Sequence, residues 1–253
     1  MSQDSSDTRD RRSFLRKVIT VAGAAPLSPH LIAGAGVAGV AAVAADSATA
    51  AGTPAATPIL VGYESFSADE AAFVENMVNV MCPADQYTPN GVDCGLAIFI
   101  DRQLAGAYGQ GAGRYLNGPW EPGKPQMGLQ LPFTPEQFFR AGVAAANRQS
   151  QAQFSKTFDQ LQPADADSFL KDISHGKIKD DEVALASWFN ELMYPLFEQA
   201  CFADPLYGGN NDKVFWKMVG YPGLPATHTL DMIEFRGKPY PGAKDPKSIV
   251  DFS

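Results

Sequence analysis

Beyond the first fifty residues, the side chains best suited to acid–base, nucleophilic or metal chemistry are two histidines, His175 and His228, and three cysteines, Cys82, Cys94 and Cys201. Zinc sites gather Cys and His at short spacings, but these histidines stand far from each other and from every cysteine in sequence. A Glu three residues before a His would put two iron ligands on one helical face, and no Glu here has that companion. Covalent haem needs Cys-x-x-Cys-His, and a hydrolase nucleophile elbow needs Gly-x-Ser-x-Gly; neither run is present. His228 and Asp231 could pair a base with an orienting carboxylate, although that spacing is common by chance. His175 precedes Gly176 and reads as a helix C-terminal residue favoured by the dipole. The expectation is therefore no catalytic, cofactor-binding or metal set in this chain.

Gly34-Ala35-Gly36-Val37-Ala38-Gly39 matches the G-x-G-x-x-G pattern of dinucleotide-binding turns. That turn needs a strand before it, a helix after it and an acidic residue about 20 positions on. None of this context exists, and the segment reads as Gly/Ala filler.

Cys82 and Cys94 bracket a turn-rich loop, Pro83 to Gly91, between two helices. A disulfide between them would constrain the unfolded chain by about 3 kcal/mol; two buried thiols are the alternative. Cys201 shares a helical stripe with Met193 and Phe197. It reads either as a core thiol or, lying at a helix end, as an inter-chain disulfide.

The elements that must position these residues are helices. Ser67 with Glu70 forms a capping box ahead of an apolar stripe of Phe73, Val74, Met77, Val78 and Met81, ended by Cys82-Pro83. A second helix is expected over 94–108, with Leu96, Phe99, Ile100 and Leu104 facing inward. Thr134-Pro135-Glu136-Gln137 opens a third, and Gln162-Pro163 a shorter one that Gly176 closes. The longest runs from Asp181 to Phe202, with Pro195 inside it as an expected kink. No stretch alternates long enough for a strand. The fold class is mainly α: an irregular helical bundle over 67–253 after a linker at 51–66.

Two Pro/Gly-rich arms interrupt the bundle. Residues 109–133 hold six Gly and four Pro along with Trp120; residues 219–253 are similar. Loops this long are uncommon unless functional. Their aromatics suit either a partner's surface or the protein's own helices.

The chain has 253 residues and a net charge of -8. Its first fifty carry five basic and four acidic side chains, so the remainder is near -9. Such a body repels phosphate backbones, which argues against a nucleic-acid partner, and anionic lipid is disfavoured likewise. Arg11-Arg12-Ser13-Phe14-Leu15-Arg16-Lys17 resembles the twin-arginine export consensus, with Arg11, Arg12, Phe14 and Leu15 as its defining residues. The weakly apolar run behind it, broken by Pro26 and Pro29, is too interrupted for a spanning helix. Ala48-Thr49-Ala50 offers a cleavage site, giving residues 1–50 as a signal peptide; an uncleaved membrane anchor or a disordered basic tail is the alternative.

The most specific block is Asp204-Pro205-Leu206-Tyr207-Gly208-Gly209-Asn210, followed by Trp216 and then Gly220-Tyr221-Pro222-Gly223. It resembles the gluconate 2-dehydrogenase subunit 3 family, the small or gamma subunits of membrane-bound flavin dehydrogenases for gluconate and related sugars. The resemblance implies a periplasmic, membrane-associated heteromeric complex. Its large subunit would carry FAD and use an acceptor other than NAD or oxygen, and a multihaem cytochrome c subunit would carry haem c. This chain would hold no cofactor and would support folding, stability and export of the flavoprotein. Candidate interface residues are Asp204, Pro205, Tyr207, Gly208, Gly209, Asn210, Trp216, Tyr221, Pro222 and Gly223, together with Cys201 and Trp120. The alternatives are a stand-alone periplasmic binding or scaffold protein, or an independent enzyme using His228 and Asp231.

Overall fold

Helix α1 spans Ala68–Met81 and begins as its sequence dictates. Ser67 Oγ accepts the Glu70 N–H, and the Glu70 carboxylate accepts the Ser67 N–H at 2.8 Å, so two otherwise orphaned donors are satisfied. In this computed structural model, residues 62–121, 130–224 and 228–252 are described. Arg11, Arg12, Phe14 and Leu15, and the signal peptide expected around them, lie outside the described residues.

Phe73, Val74, Met77 and Val78 are fully buried along α1. Helix α2, Leu96–Ala105, buries Leu96, Phe99, Ile100 and Leu104. Helix α3, Pro135–Phe154, carries the expected Pro in its first turn and a second capping box between Thr134 and Gln137. Helix α4, Pro163–Ser174, is followed by Gly176 in the left-handed region. The fold is mainly α; among the described residues the one β feature is an isolated bridge between Gly223 and Lys247.

The longest expected helix is corrected in form. It starts at Leu185 rather than Asp181, as α5, Leu185–Trp188, then widens into a π-turn, Phe189–Met193, and resumes as α6, Tyr194–Phe202. The Tyr194 N–H reaches back five residues to the Phe189 carbonyl. Pro195 lacks an N–H, and its ring would crowd the carbonyl four residues earlier. The widened turn directly before it replaces the sharp kink.

The core sits where α1, α3, α4 and α5 meet. Phe73 lies 4.5 Å from Phe158 and edge-on to Trp188. Gly142 on α3 lies against the Trp188 indole, and a methyl group there would overlap that ring.

The chain enters the bundle through a clasp. Asp101 on α2 is 1% exposed, and its carboxylate accepts the backbone N–H groups of Glu64, Ser65 and Phe66 at 2.6, 2.9 and 2.9 Å. Arg140 of α3 donates to the Ser65 carbonyl and pairs with Glu136 and Glu70, and Phe66 stacks on Phe139. The last residues of the expected linker are thus anchored to two helices.

Both arms make contacts back to this chain. Glu136 N–H bonds the Gly109 carbonyl, and Leu131 and Phe133 pack on the core. The C-terminal arm passes through α8, Thr229–Glu234, then returns to the end of α6. Among the described residues no helix is long and apolar enough to cross a membrane.

Candidate functional site

The signature block makes a corner between α6 and α7, Val214–Val219. Asp204 caps the 3-10 turn Pro205–Tyr207 by accepting the Leu206 N–H. Gly208 adopts φ 101°, which a side chain resists. Gly209 is required for a different reason: its backbone presses on the Ala200 carbonyl, where a Cβ has no room.

Asn210 is completely buried and ties the corner on both sides. Its amide NH2 donates to the Ala203 carbonyl at 3.1 Å, and its Oδ1 accepts the Phe215 N–H at 3.0 Å, capping α7 from outside the helix. Trp216 donates Nε1–H to the Phe202 carbonyl at 2.8 Å and meets Tyr221 edge-on. Gly223, at φ 76°, lies in the left-handed region and bridges to Lys247. The corner is fastened to the start of α2 by Asn211, whose backbone and side chain donate to the Cys94 and Asp93 carbonyls.

The outer face of the corner is a groove. Two adjoining hollows of about 500 and 430 Å³ share Phe202 and Asp204 in their walls. One is lined further by Trp216, Val219, Tyr221 and Leu224. The other is completed by Phe99 and Gln103 from α2, Gln199 from α6, and Tyr207. Gln103 and Gln199 escaped the sequence reading, since nothing local marks a polar residue that a distant segment turns into a groove wall. Phe202 and Tyr207 are half-exposed, and most large apolar side chains left exposed among the described residues lie between Phe202 and Phe252. Trp120 is not part of the groove; its indole lies against Gly118.

The cysteines converge beneath this corner. All three are free and buried, so the expected Cys82–Cys94 disulfide is not formed. Both thiols instead lie against the Pro89 carbonyl, at 3.8 and 3.5 Å. Cys201 is a core thiol facing the same pair, which does not suit a bond to another chain. Burial pushes Cys94 and Cys201 up to about 12, with the neighbouring thiols adding to it, and burial raises Cys82 as well; a thiol raised in this way is a poor nucleophile.

His228 and Asp231 do meet. His228 Nδ1 is 2.9 Å from Asp231 Oδ2, and the Tyr240 hydroxyl donates to the same oxygen at 2.9 Å. These bonds hold the Asp231 carboxyl below its usual range, the His228 contact contributing most, and they raise the Tyr240 hydroxyl. His228 Nε2 is shut off from solvent without a hydrogen-bond partner, a poor position for a base that must reach a substrate. The trio fastens α8 to the returning arm.

Comparison with curated proteins and with solved structures gives no match. The family model described as gluconate 2-dehydrogenase subunit 3 matches residues 68–223, from the first turn of α1 to the glycine that closes the corner. That span covers the helical bundle and the whole signature block, and the chain belongs to the gluconate 2-dehydrogenase subunit 3 family.

Proposed function

We propose that this chain is the non-catalytic small subunit of a membrane-associated, FAD-dependent dehydrogenase of the gluconate 2-dehydrogenase type. It binds the flavoprotein catalytic subunit, supports its folding and stability, and carries it through the twin-arginine route into the periplasm. FAD belongs to that partner and haem c to a cytochrome subunit of the same complex; the partner selects the sugar or sugar acid.

One observation carries this reading. The polar signature residues Asn210 and Trp216 spend their hydrogen bonds on this chain's own backbone. The side chains left facing outward, Phe202, Tyr207, Tyr221 and Val219, form an apolar groove. Aromatic side chains around a concave apolar surface are the material of protein interfaces.

A tag on the full chain is expected to recover a larger, flavin-containing protein. A stable, flavin-free monomer as the sole product would overturn the reading. Changing Arg11 and Arg12 to Lys is expected to leave both subunits in the cytoplasm, and a partner that still reached the periplasm would end the carrier role.

A further inference from the structure

The arm beyond the family match carries apolar surface for which the bundle has no use. Helix α8 has six residues, too few to hold itself in water. It is held by the His228–Asp231–Tyr240 bonds and by Phe235 packed edge-on against Tyr240. What it presents outward is Leu230, Met232 and Ile233, exposed by 78, 65 and 73%.

The arm then runs back to the corner. Gly223 bridges to Lys247, the Ile249 N–H donates to Asp204 Oδ2 at 2.9 Å, and Lys213 pairs with Asp251 at 2.7 Å. This return lays the exposed Ile249, Val250 and Phe252 beside the 3-10 turn of the signature block. Between Pro222 and α8 lies a socket of about 180 Å³, with Met232 and Phe235 in its wall.

We infer that this arm is the specificity-determining half of the docking face: α8 and the C-terminal turn engage the same flavoprotein that fills the corner groove, and select it among related catalytic subunits. The inference rests on the docking reading above. Continuity supports it, because the arm is bonded into the groove wall at Asp204. Charge supports it too. Residues 228–252 hold four acidic and four basic side chains and are neutral, in a chain of net charge -8. A second copy would set one acidic body against another, and anionic lipid would meet the same repulsion. A different protein with an apolar surface and a neutral or basic rim does not. The family match ends at Gly223, which places the whole arm outside the segment the family model describes.

The test uses the full chain together with the flavin-containing subunit recovered through its tag. The double variant Leu230→Asp, Ile233→Asp is expected to weaken that complex by at least about tenfold. The chain's own unfolding midpoint should stay within about 2 °C, since both side chains are exposed. Exchanging residues 224–252 for those of another family member is expected to move partner preference with the arm. The groove variant Tyr207→Ala separates the two ideas. If it releases the flavoprotein while the double variant and the exchange leave affinity and preference unchanged, the inference falls and the docking reading stands. If the unaltered chain recovers no flavoprotein, both fall. Sedimentation showing a homodimer that the double variant abolishes, or binding to phosphatidylglycerol vesicles that it abolishes, with flavoprotein affinity unchanged, would assign the arm to another occupant and overturn the inference.

Discussion

Asn210 illustrates how a signature residue can be indispensable without touching a ligand. Its side chain satisfies one carbonyl and one helix N–H inside the corner, and its own backbone sits at φ 50°, a region Asn tolerates better than most residues. Asn210→Ala is expected to cost about 2–4 kcal/mol, from two buried groups left unpaired and a strained backbone, read as a lower midpoint in urea. The cysteines give a second residue-scale prediction. Native protein should react very slowly with a thiol reagent at pH 8, and urea-unfolded protein should react at all three. Rapid labelling of Cys201 in the native chain would contradict its burial. A Gly-Gly-Asn run favours a turn, because positive φ and side-chain capping are local properties. The burial of Cys201 beside Cys82 and Cys94 was not legible in the sequence, because it depends on α6 crossing α2, a contact between segments about a hundred residues apart.

At the scale of elements, the capped helix starts were readable and the irregularities were not. Both capping boxes stand in the sequence, because a cap is decided within four residues. The π-turn before Pro195 reflects a competition between a proline clash and the burial of Trp188 just before the turn and of Leu192 and Met193 within it, which no local window decides. The return of the C-terminal arm was equally hidden, since its composition suited either its own bundle or a partner. That return has a pH signature. Lys213 and the Ser248 N–H hold the Asp251 carboxyl down to about 2. A carboxylate with a depressed folded value contributes stability above its unfolded range, near 4, and loses it as pH falls toward 2. Amide exchange at Ser248 and Ile249 should therefore stay slow, relative to the unfolded chain at the same pH, down to about pH 4 and accelerate between about pH 4 and 2. Release already complete at pH 5 would show that this ion pair does not hold the arm.

For the whole molecule, composition established an acidic body, caps and apolar stripes made it helical, and the signature block identified its family. The anchoring of residues 63–66 was not legible. Asp101 reads as an ordinary polar residue in an amphipathic helix, and its three partners lie more than thirty residues upstream. Asp101→Ala is expected to destabilise the fold by about 2–4 kcal/mol and to open residues 63–66 to limited proteolysis, with the α1 capping box left intact. A variant that unfolds only globally, with no earlier cleavage there, would show that the segment is held by Arg140 and Phe66 instead. The clasp also has a mechanical meaning. Tension arriving at Tyr63 from the N-terminal side passes through Glu64, Ser65 and Phe66 into one carboxylate on α2. The load enters the bundle at an interior helix, and the first turn of α1 is spared from being unzipped end-on. A pull from that side would thus be taken up by the middle of the bundle.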